Sequence, residues 1–126
     1  MATKDKKENI TVLIGEMISF RNSLKLVHWA VTGKGSYETH LSLDQAIDAL
    51  VDITDRLVET TIADTGTLEI VIPETKRSKD FIKHIADFYD HIEKKRDVFE
   101  ETFSQSIIDD FQETIKQLLY RLKRLE

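Results

Sequence analysis

Two of the chain's four histidines, its only tryptophan and an aspartate lie close together in the stretch HWAVTGKGSYETHLSLD. His28 and Trp29 precede a glycine turn, and His40 and Asp44 follow it. Imidazole nitrogens and carboxylate oxygens bind transition metals, and a mixed set with open coordination positions suits iron or zinc. The chain has no cysteine, which excludes thiolate metal sites, thiol catalysis and disulfides. This stretch therefore predicts a metal site built from histidines and acids.

An acidic stripe continues beyond Asp44 at helical spacing. A helix turns by about 100° per residue, so all of its members fall within about one third of the circumference from His40. They are Asp44, Asp48, Asp52, Asp55 and Glu59. A solvated acidic face is the simplest interpretation, but such faces usually mix charges, because like charges four residues apart repel each other. This stripe contains no lysine, which favours the binding of a cation.

The rise of the helix limits how these acids can meet one ion. His40 and Asp44 are about 6 Å apart along the axis, and so are Asp55 and Glu59. Eleven residues separate Asp44 from Asp55, which is about 16 Å of axial rise, so one helix cannot bring both pairs to a single metal. An antiparallel second copy related by a twofold axis can do so, and the same site then forms twice. The spacing permits this dimer and does not require it.

Long helices must position these residues, because the chain has only one proline and four glycines. Apolar residues at steps of three and four predict helices over residues 10–32, 37–64, 79–103 and from 106 onward. The predicted core face of the second helix consists of Leu43, Ile47, Leu50, Ile53, Leu57, Val58 and Ile62. We expect Ser36, Ser78 and Ser106 at the starts of the last three helices, with Ser106 and Asp109 resembling a capping box.

The stretch TGTLEIVIPETKRS, residues 65–78, is rich in β-branched residues and contains Pro73, so we expect an extended connection. About 12 extended residues span up to ~40 Å, which is enough to run back along a helix. The resulting fold class is all-α, a ferritin-like four-helix bundle with a long crossover between helices two and three. Residues 1–9 are expected to form a polar tail, and residues 10–126 a single domain.

Composition limits the partners and the compartment. The net charge of −5 disfavours a general nucleic-acid surface, and Asp5 and Glu8 dilute the basic tail of Lys4, Lys6 and Lys7, so DNA binding is not expected. There is no apolar segment of the kind found in signal peptides, and no run approaches the ~20 residues of a membrane span. A cytoplasmic protein without a membrane partner is the default expectation.

Taken together, the residues resemble the ferroxidase signature of the Dps family, the mini-ferritins also known as DNA-binding proteins from starved cells. All five ligand positions of the family match at their spacing, and so does the tryptophan. The ligand positions correspond to His28, His40, Asp44, Asp55 and Glu59. Departures from the pattern are a shorter chain, no short helix in the long connection, and Leu41 and Thr60 where the family usually has an acid and an arginine.

This resemblance implies a hollow homododecamer, and at minimum a twofold dimer, that oxidises Fe(II) with peroxide or oxygen and stores iron. It implies that His28, His40 and Asp44 come from one copy, and that Asp55 and Glu59 come from its neighbour and hold the tighter iron. It gives Trp29 a role in taking up stray oxidising equivalents. The alternatives are a non-catalytic helical oligomer, or a module that holds zinc at the same ligands without turnover. His84 and His91, seven residues apart, are expected to be ordinary surface or boundary residues.

Overall fold

The computed structural model describes residues 4–125, and side chains from residue 5 onward. It is all-helical, with four long helices and no strand in this range. The helices are α1 (Lys4–Ala30), α2 (Ser36–Thr65), α3 (Phe81–Lys95) and α4 (Thr102–Arg124), and a short 3₁₀ turn, η1 (Arg96–Val98), follows α3. No helix in the described chain is long and apolar enough to cross a membrane.

The four helices form a bundle in which each helix packs mainly against two others. α2 packs against α1 and α4, and α3 packs against α4 and α1, so the order around the core is α1, α2, α4, α3. The completely buried side chains come from all four helices and include Ile14, Met17, Leu24, Leu43, Leu50, Leu57, Ile85, Ile92, Phe111 and Ile115. Burial of these amphipathic faces, at roughly 25 cal/mol per Å² of apolar surface, is what holds the long helices together.

The apolar periodicity of α2 predicted its buried face well except at one end. Leu43, Leu50 and Leu57 are completely buried, and Val58 packs against the core from a partly buried position. Ile62 was assigned to the core and is instead 40% exposed. It lies in the last turn of α2 but on the side that faces away from the core, whereas Thr61 in the same turn is buried.

The helix starts differ from the predicted ones. Ser36 is the first residue of α2 rather than its cap, because Gly33 and Gly35 adopt positive φ and the Ser36 N–H bonds to the Gly33 carbonyl. α3 is capped by Asp80 instead of Ser78, and the Asp80 carboxylate accepts the Lys83 N–H at 3.1 Å. An aspartate caps a helix as well as a serine does, so the sequence did not distinguish the two positions.

The predicted third helix is interrupted before its expected end. α3 stops at Lys95, and α4 begins at Thr102, so Ser106 lies inside α4 and does not cap it. The Gln105 side-chain amide donates to the carbonyls of Arg96 and Phe99 at 2.8 and 2.6 Å, and the Arg96 guanidinium donates back to the Gln105 side chain and to Asp109. This network satisfies backbone groups that a continuous helix would have paired internally.

The first helix starts earlier than the pattern indicated. α1 begins at Lys4, so residues 4–9 of the predicted polar tail are helical, whereas residues 1–3 lie outside the described range. The Lys6 ammonium is 2.6 Å from a Glu100 carboxylate oxygen, and the Lys7 ammonium donates to the Thr65 carbonyl at 3.3 Å. These two lysines therefore contact the bundle.

Residues 66–80 connect α2 to α3 without helix or strand and lie against α1. The Val71 carbonyl packs on Gly15, and the Thr75 hydroxyl is 3.0 Å from that of Ser19, one turn further along α1. A Cβ atom at position 15 would lie only 2.2 Å from the Val71 oxygen. Gly15 is therefore required for the close approach of the two backbones.

Replacing Gly15 with alanine is expected to destabilise the protein. Helix propensity alone favours alanine by about 0.5–1 kcal/mol, but the clash with backbone outweighs it and lowers the free energy of unfolding by about 1–3 kcal/mol. Urea unfolding measures the change. Asn22→Ala, at an exposed position of α1, serves as the control and should not reduce stability. A Gly15→Ala variant more stable than the wild type would contradict the packing described here.

α3 contacts α1 through two histidines on either side of Phe88. His84 Nε2 is 2.8 Å from the Ser23 hydroxyl, and His91 Nε2 is 3.0 Å from a Glu16 carboxylate oxygen. Ser23 already donates its hydroxyl hydrogen to the Phe20 carbonyl at 2.5 Å, so His84 is the donor to Ser23. This direction excludes a serine activated by the histidine as a base.

Burial lowers the pKa of His84, although Asp87 acts in the opposite direction. The folded protein therefore favours the neutral imidazole, and His84 stabilises the fold above its unfolded pKa of about 6.5. That contribution is lost as the pH falls through the lower folded pKa. We expect the free energy of unfolding to rise between pH 5 and 7, and His84→Gln to reduce this rise. Urea titrations at several pH values test it, and an unchanged slope in the variant would contradict it.

Candidate metal site

His28 lies in the last full turn of α1, and its side chain points into the α1–α2 contact. The residue is only 5% exposed, and neither ring nitrogen has a hydrogen-bond partner in the described structure. Asp44 Oδ1 is 3.1 Å from Nε2, within ion-pair distance, but the two atoms do not form a hydrogen bond. Buried polar atoms are nearly always paired, so an unpaired imidazole suggests a ligand.

His40 lies in the second turn of α2, and its ring packs on that of His28. The ring centroids are 3.5 Å apart with an angle of 31° between the planes. His40 Nδ1 is 3.2 Å from the His28 backbone carbonyl, which can only accept a hydrogen bond, so Nδ1 carries the proton. Nε2 then keeps its lone pair. A histidine that donates one N–H to a carbonyl and offers the other nitrogen is the usual arrangement at metal sites.

Asp44 follows His40 by one helical turn and completes a cluster. One ligand atom from each of His28, His40 and Asp44 lies within 4.8 Å of the others. Metal–nitrogen and metal–oxygen bonds are about 2.0–2.2 Å long, so one ion can reach all three atoms with small side-chain movements. Three protein ligands leave coordination positions open for further ligands.

The electrostatics of the cluster keep His28 and Asp44 in the forms that bind metal. Burial lowers the pKa of His28, with Asp44 opposing this effect and Lys25 and His40 adding to it. Burial acts to raise the pKa of Asp44, but the hydrogen bond from Lys25 and the nearby histidines outweigh it, and the pKa is lowered. Near neutral pH the site therefore offers neutral imidazole and an ionised carboxylate, which are the forms that bind metal.

Lys25 is a residue of the site that the sequence interpretation missed. Its ammonium is 3.4 Å from Asp44 Oδ1, the oxygen that also faces His28. The same ammonium lies 5.7 Å from the centre of the Trp29 ring. This ammonium would repel a cation bound at Asp44. The available signal was its position three residues before His28, which places both on one side of α1.

Asp55 and Glu59 are not part of the cluster. Both are exposed on α2, and among the described residues the only group of three or more potential ligands that lie close together is that of His28, His40 and Asp44. Burial lowers the pKa of the Arg21 guanidinium, and the nearby Asp55 carboxylate acts in the opposite direction. Trp29 is 68% exposed beside the cluster. The chain therefore brings together three of the five predicted ligands.

Exposed apolar side chains accompany the acidic stripe of α2. Leu41, Val51 and Ile62 are each about 40% exposed, at 42%, 41% and 40%, and they lie near the two ends and the middle of the helix. Charged and apolar residues thus alternate on a face that the bundle leaves uncovered. The charges of this face were predicted from the sequence, but the exposure of its apolar residues was not.

Residues 28–122 match the model of DUF5856, a family of unknown function. The match covers most of the chain and includes all five predicted ligands, and the chain belongs to this family. Comparisons with curated proteins and with solved structures gave no match.

Removing the competing ammonium should tighten cation binding. Lys25→Met is expected to raise the affinity for Zn(II) by about tenfold at low ionic strength, because a positive charge next to the site is lost. Calorimetric titration of metal-free protein measures this. Lys83→Met is the matched control, since Lys83 also pairs with a carboxylate, Asp87, but on the outside of α3. If the affinity for Zn(II) were unchanged or weaker in Lys25→Met, this would contradict the binding of the cation at Asp44.

Proposed function

We propose that this member of the DUF5856 family is a Dps-like mini-ferritin. It binds Fe(II) as its substrate at sites shared between twofold-related copies, oxidises it with peroxide or oxygen, and stores the ferric product in a protein cage. The observation that carries the proposal is the convergence of His28, His40 and Asp44 around a buried imidazole that lacks hydrogen-bond partners.

The cluster is half of an iron site, and a second copy supplies the other half. Asp55 and Glu59 are one turn apart, as His40 and Asp44 are, and both project from the exposed face of α2. The axial distance of about 16 Å between the pairs keeps them apart within one chain. When two copies of α2 pack antiparallel about a twofold axis, Asp55 and Glu59 of one copy approach His40 and Asp44 of the other.

The exposed apolar residues of α2 support this packing. In the antiparallel arrangement Leu41 of one copy lies near Ile62 of the other, and the two Val51 side chains lie near the axis. Partial exposure of apolar residues in a monomer is relieved when they are buried in an interface. The acids between them, Asp48 and Asp52 included, would repel each other across the interface, and bound cations reduce that repulsion.

The connection between α2 and α3 supports the ferritin-like topology. Residues 66–80 contact α1 first near Gly15 and then near Ser19, in the direction from the α1 N-terminus toward its C-terminus. Such a course lets α3 start at the end of the bundle where α2 also starts, which is the connectivity of ferritin-like bundles. We propose that the protein assembles into a dodecameric cage, in which the twofold dimer is the smallest active unit.

The chemistry of the ligands fits the oxidation of iron. With peroxide the overall reaction is 2Fe²⁺ + H₂O₂ + 2H₂O → 2FeO(OH) + 4H⁺, in which two electrons pass from two ferrous ions to peroxide. Anionic oxygen ligands stabilise Fe(III) over Fe(II), and three of the five proposed ligands are carboxylates. Oxidising equivalents that escape from the iron site would be taken up by the exposed indole of Trp29 beside it.

Zinc binding without turnover is the second candidate function. Neutral imidazoles and a carboxylate with an open position also suit tetrahedral Zn(II), which has no redox chemistry. Elemental analysis of protein purified without added metal separates the two functions when it is combined with an oxidation assay. Stoichiometric zinc with no iron oxidation would favour this candidate. DNA binding is not part of either function.

Loss of the second pair of ligands should abolish iron oxidation. Asp55→Asn with Glu59→Gln is expected to lower the rate of Fe(II) oxidation by about 100-fold, because two carboxylates that bind the iron directly are lost. The rate is measured from the absorbance of the ferric product after addition of peroxide. Asp48→Asn with Asp52→Asn removes the same charge from the same face of α2 and should change the rate by no more than about twofold. Equal rates in both double variants would show that the proposed ligands are wrong.

Mixed oligomers test whether the site is shared. We expect copies carrying His28→Ala and Asp44→Asn to be inactive by themselves, and likewise copies carrying the Asp55 and Glu59 substitutions. Co-expression should restore about a quarter of the wild-type rate, because half of randomly formed dimers contain one intact site of two. No recovery in confirmed mixed oligomers would contradict a shared site, and so would a monomeric mass by light scattering.

A further inference from the structure

A second site candidate lies at the end of the bundle where α1 turns into α2 and α3 begins. An open pocket of about 470 Å³ is lined there by the turn after α1, the first residues of α2 and the residues before α3. Its polar wall includes Lys34, Arg77 and Lys79, and its apolar wall includes Val31 and Phe81. Its size lies within the range of small-molecule pockets.

The pocket is positively charged within an acidic protein. Three cationic side chains line it and no carboxylate does, although the chain as a whole has a net charge of −5. Lys34, Arg77 and Lys79 make no ion pair with any carboxylate of residues 5–125. The nearby Asp80 carboxylate is directed to the Lys83 N–H as a helix cap. Unneutralised charge of this kind favours an anionic ligand.

The start of α2 adds hydrogen-bond donors to the same wall. Ser36, from the first turn of α2, lines the pocket with a hydroxyl group, whereas the Thr39 hydroxyl beside it already donates to the Gly35 carbonyl at 3.0 Å. The cap residue Gly35 provides no side-chain hydrogen bond, and the N–H groups of Tyr37 and Glu38 have no acceptor in the described chain. The positive end of a helix of 30 residues thus lies beside the cationic side chains. Such helix ends bind phosphate and other anions.

The charge of this end of the bundle extends beyond the pocket. α4 ends next to Gly35, where the Leu125 carbonyl is 3.9 Å from the position of a Cβ on that glycine. The last turn of α4 carries Arg121, Lys123 and Arg124. At the opposite end of the bundle a pocket is lined by Asp64, Glu100 and Glu101 together with Lys6.

We propose that this basic pocket binds a phosphate group, either as inorganic phosphate or as the head of a small organic phosphate. Lys34, Arg77 and Lys79 contact the phosphate oxygens through charge-assisted hydrogen bonds. Val31 and Phe81 contact the organic part of an ester. The inference is independent of the proposed iron chemistry, since none of the five proposed metal ligands lines the pocket.

Phosphate binding to metal-free protein tests the inference. In calorimetric titrations at low ionic strength, we expect saturable binding of inorganic phosphate with a dissociation constant below about 1 mM. The double variant Lys34→Gln/Lys79→Gln is expected to weaken binding by at least about tenfold, because two charge-assisted contacts are lost. Lys94→Gln/Lys95→Gln, at the far end of α3, is the matched control and should change the affinity by less than about twofold.

The outcomes separate the sources of the phosphate and the alternatives. Tighter binding of phenyl phosphate than of inorganic phosphate supports an organic ester as the ligand, and equal binding supports inorganic phosphate itself. No saturable binding of either compound would overturn the inference, as would equal losses in the two double variants. Binding of a DNA duplex without binding of either phosphate compound would also overturn it, in favour of a nucleic-acid surface. Circular dichroism verifies that all variants are folded.

Discussion

The packing of the last turn of α1 on the first turns of α2 is the contact on which the site depends. It reduces the exposure of His28 to 5% and places its ring against that of His40, with Asp44 at 3.1 Å. Burying an imidazole without hydrogen bonds has a free-energy cost, which the surrounding core offsets. The Lys25 ammonium partly neutralises the charge of Asp44. The fold thus holds one donor atom from each of the three side chains within 4.8 Å of the others.

The rigidity of α2 keeps the second pair of proposed ligands, Asp55 and Glu59, away from the cluster in the same chain. A straight helix separates Asp44 from Asp55 by about 16 Å, and no side-chain rotation covers that distance. A site that needs both pairs must therefore be formed between copies. The exposed apolar residues Leu41, Val51 and Ile62 are on the helix that such a contact would bury. Assembly and metal chemistry are then coupled, because the same face of α2 contributes to both.

α2 has a different charge at its end and along its side. Its exposed side carries acids, whereas its first turn lies in a basic pocket with Lys34 and with Arg77 from the connection to α3. Cations and anions would therefore bind to separate regions of one helix. The acidic stripe was visible in the sequence as a period of three and four residues. The basic pocket was not, because Lys34 and Arg77 are 43 residues apart and only the packing of α3 beside the α1–α2 turn brings them together.

The sequence by itself determined the all-helical class, the four helices and the relative positions of His40, Asp44, Asp55 and Glu59, because helical periodicity is a local property. It did not determine where the helices begin and end, because these ends depend on contacts outside each helix. The Gln105 side chain, for example, donates to the backbone carbonyls of Arg96 and Phe99, which precede its own helix. Only the tertiary structure decided that the His28 ring is buried without hydrogen bonds and that the Lys25 ammonium pairs with the Asp44 carboxylate. It also decided that the connection between α2 and α3 packs on Gly15. Each of these depends on contacts between separate segments, whose geometry the spacing of residues along one helix does not contain.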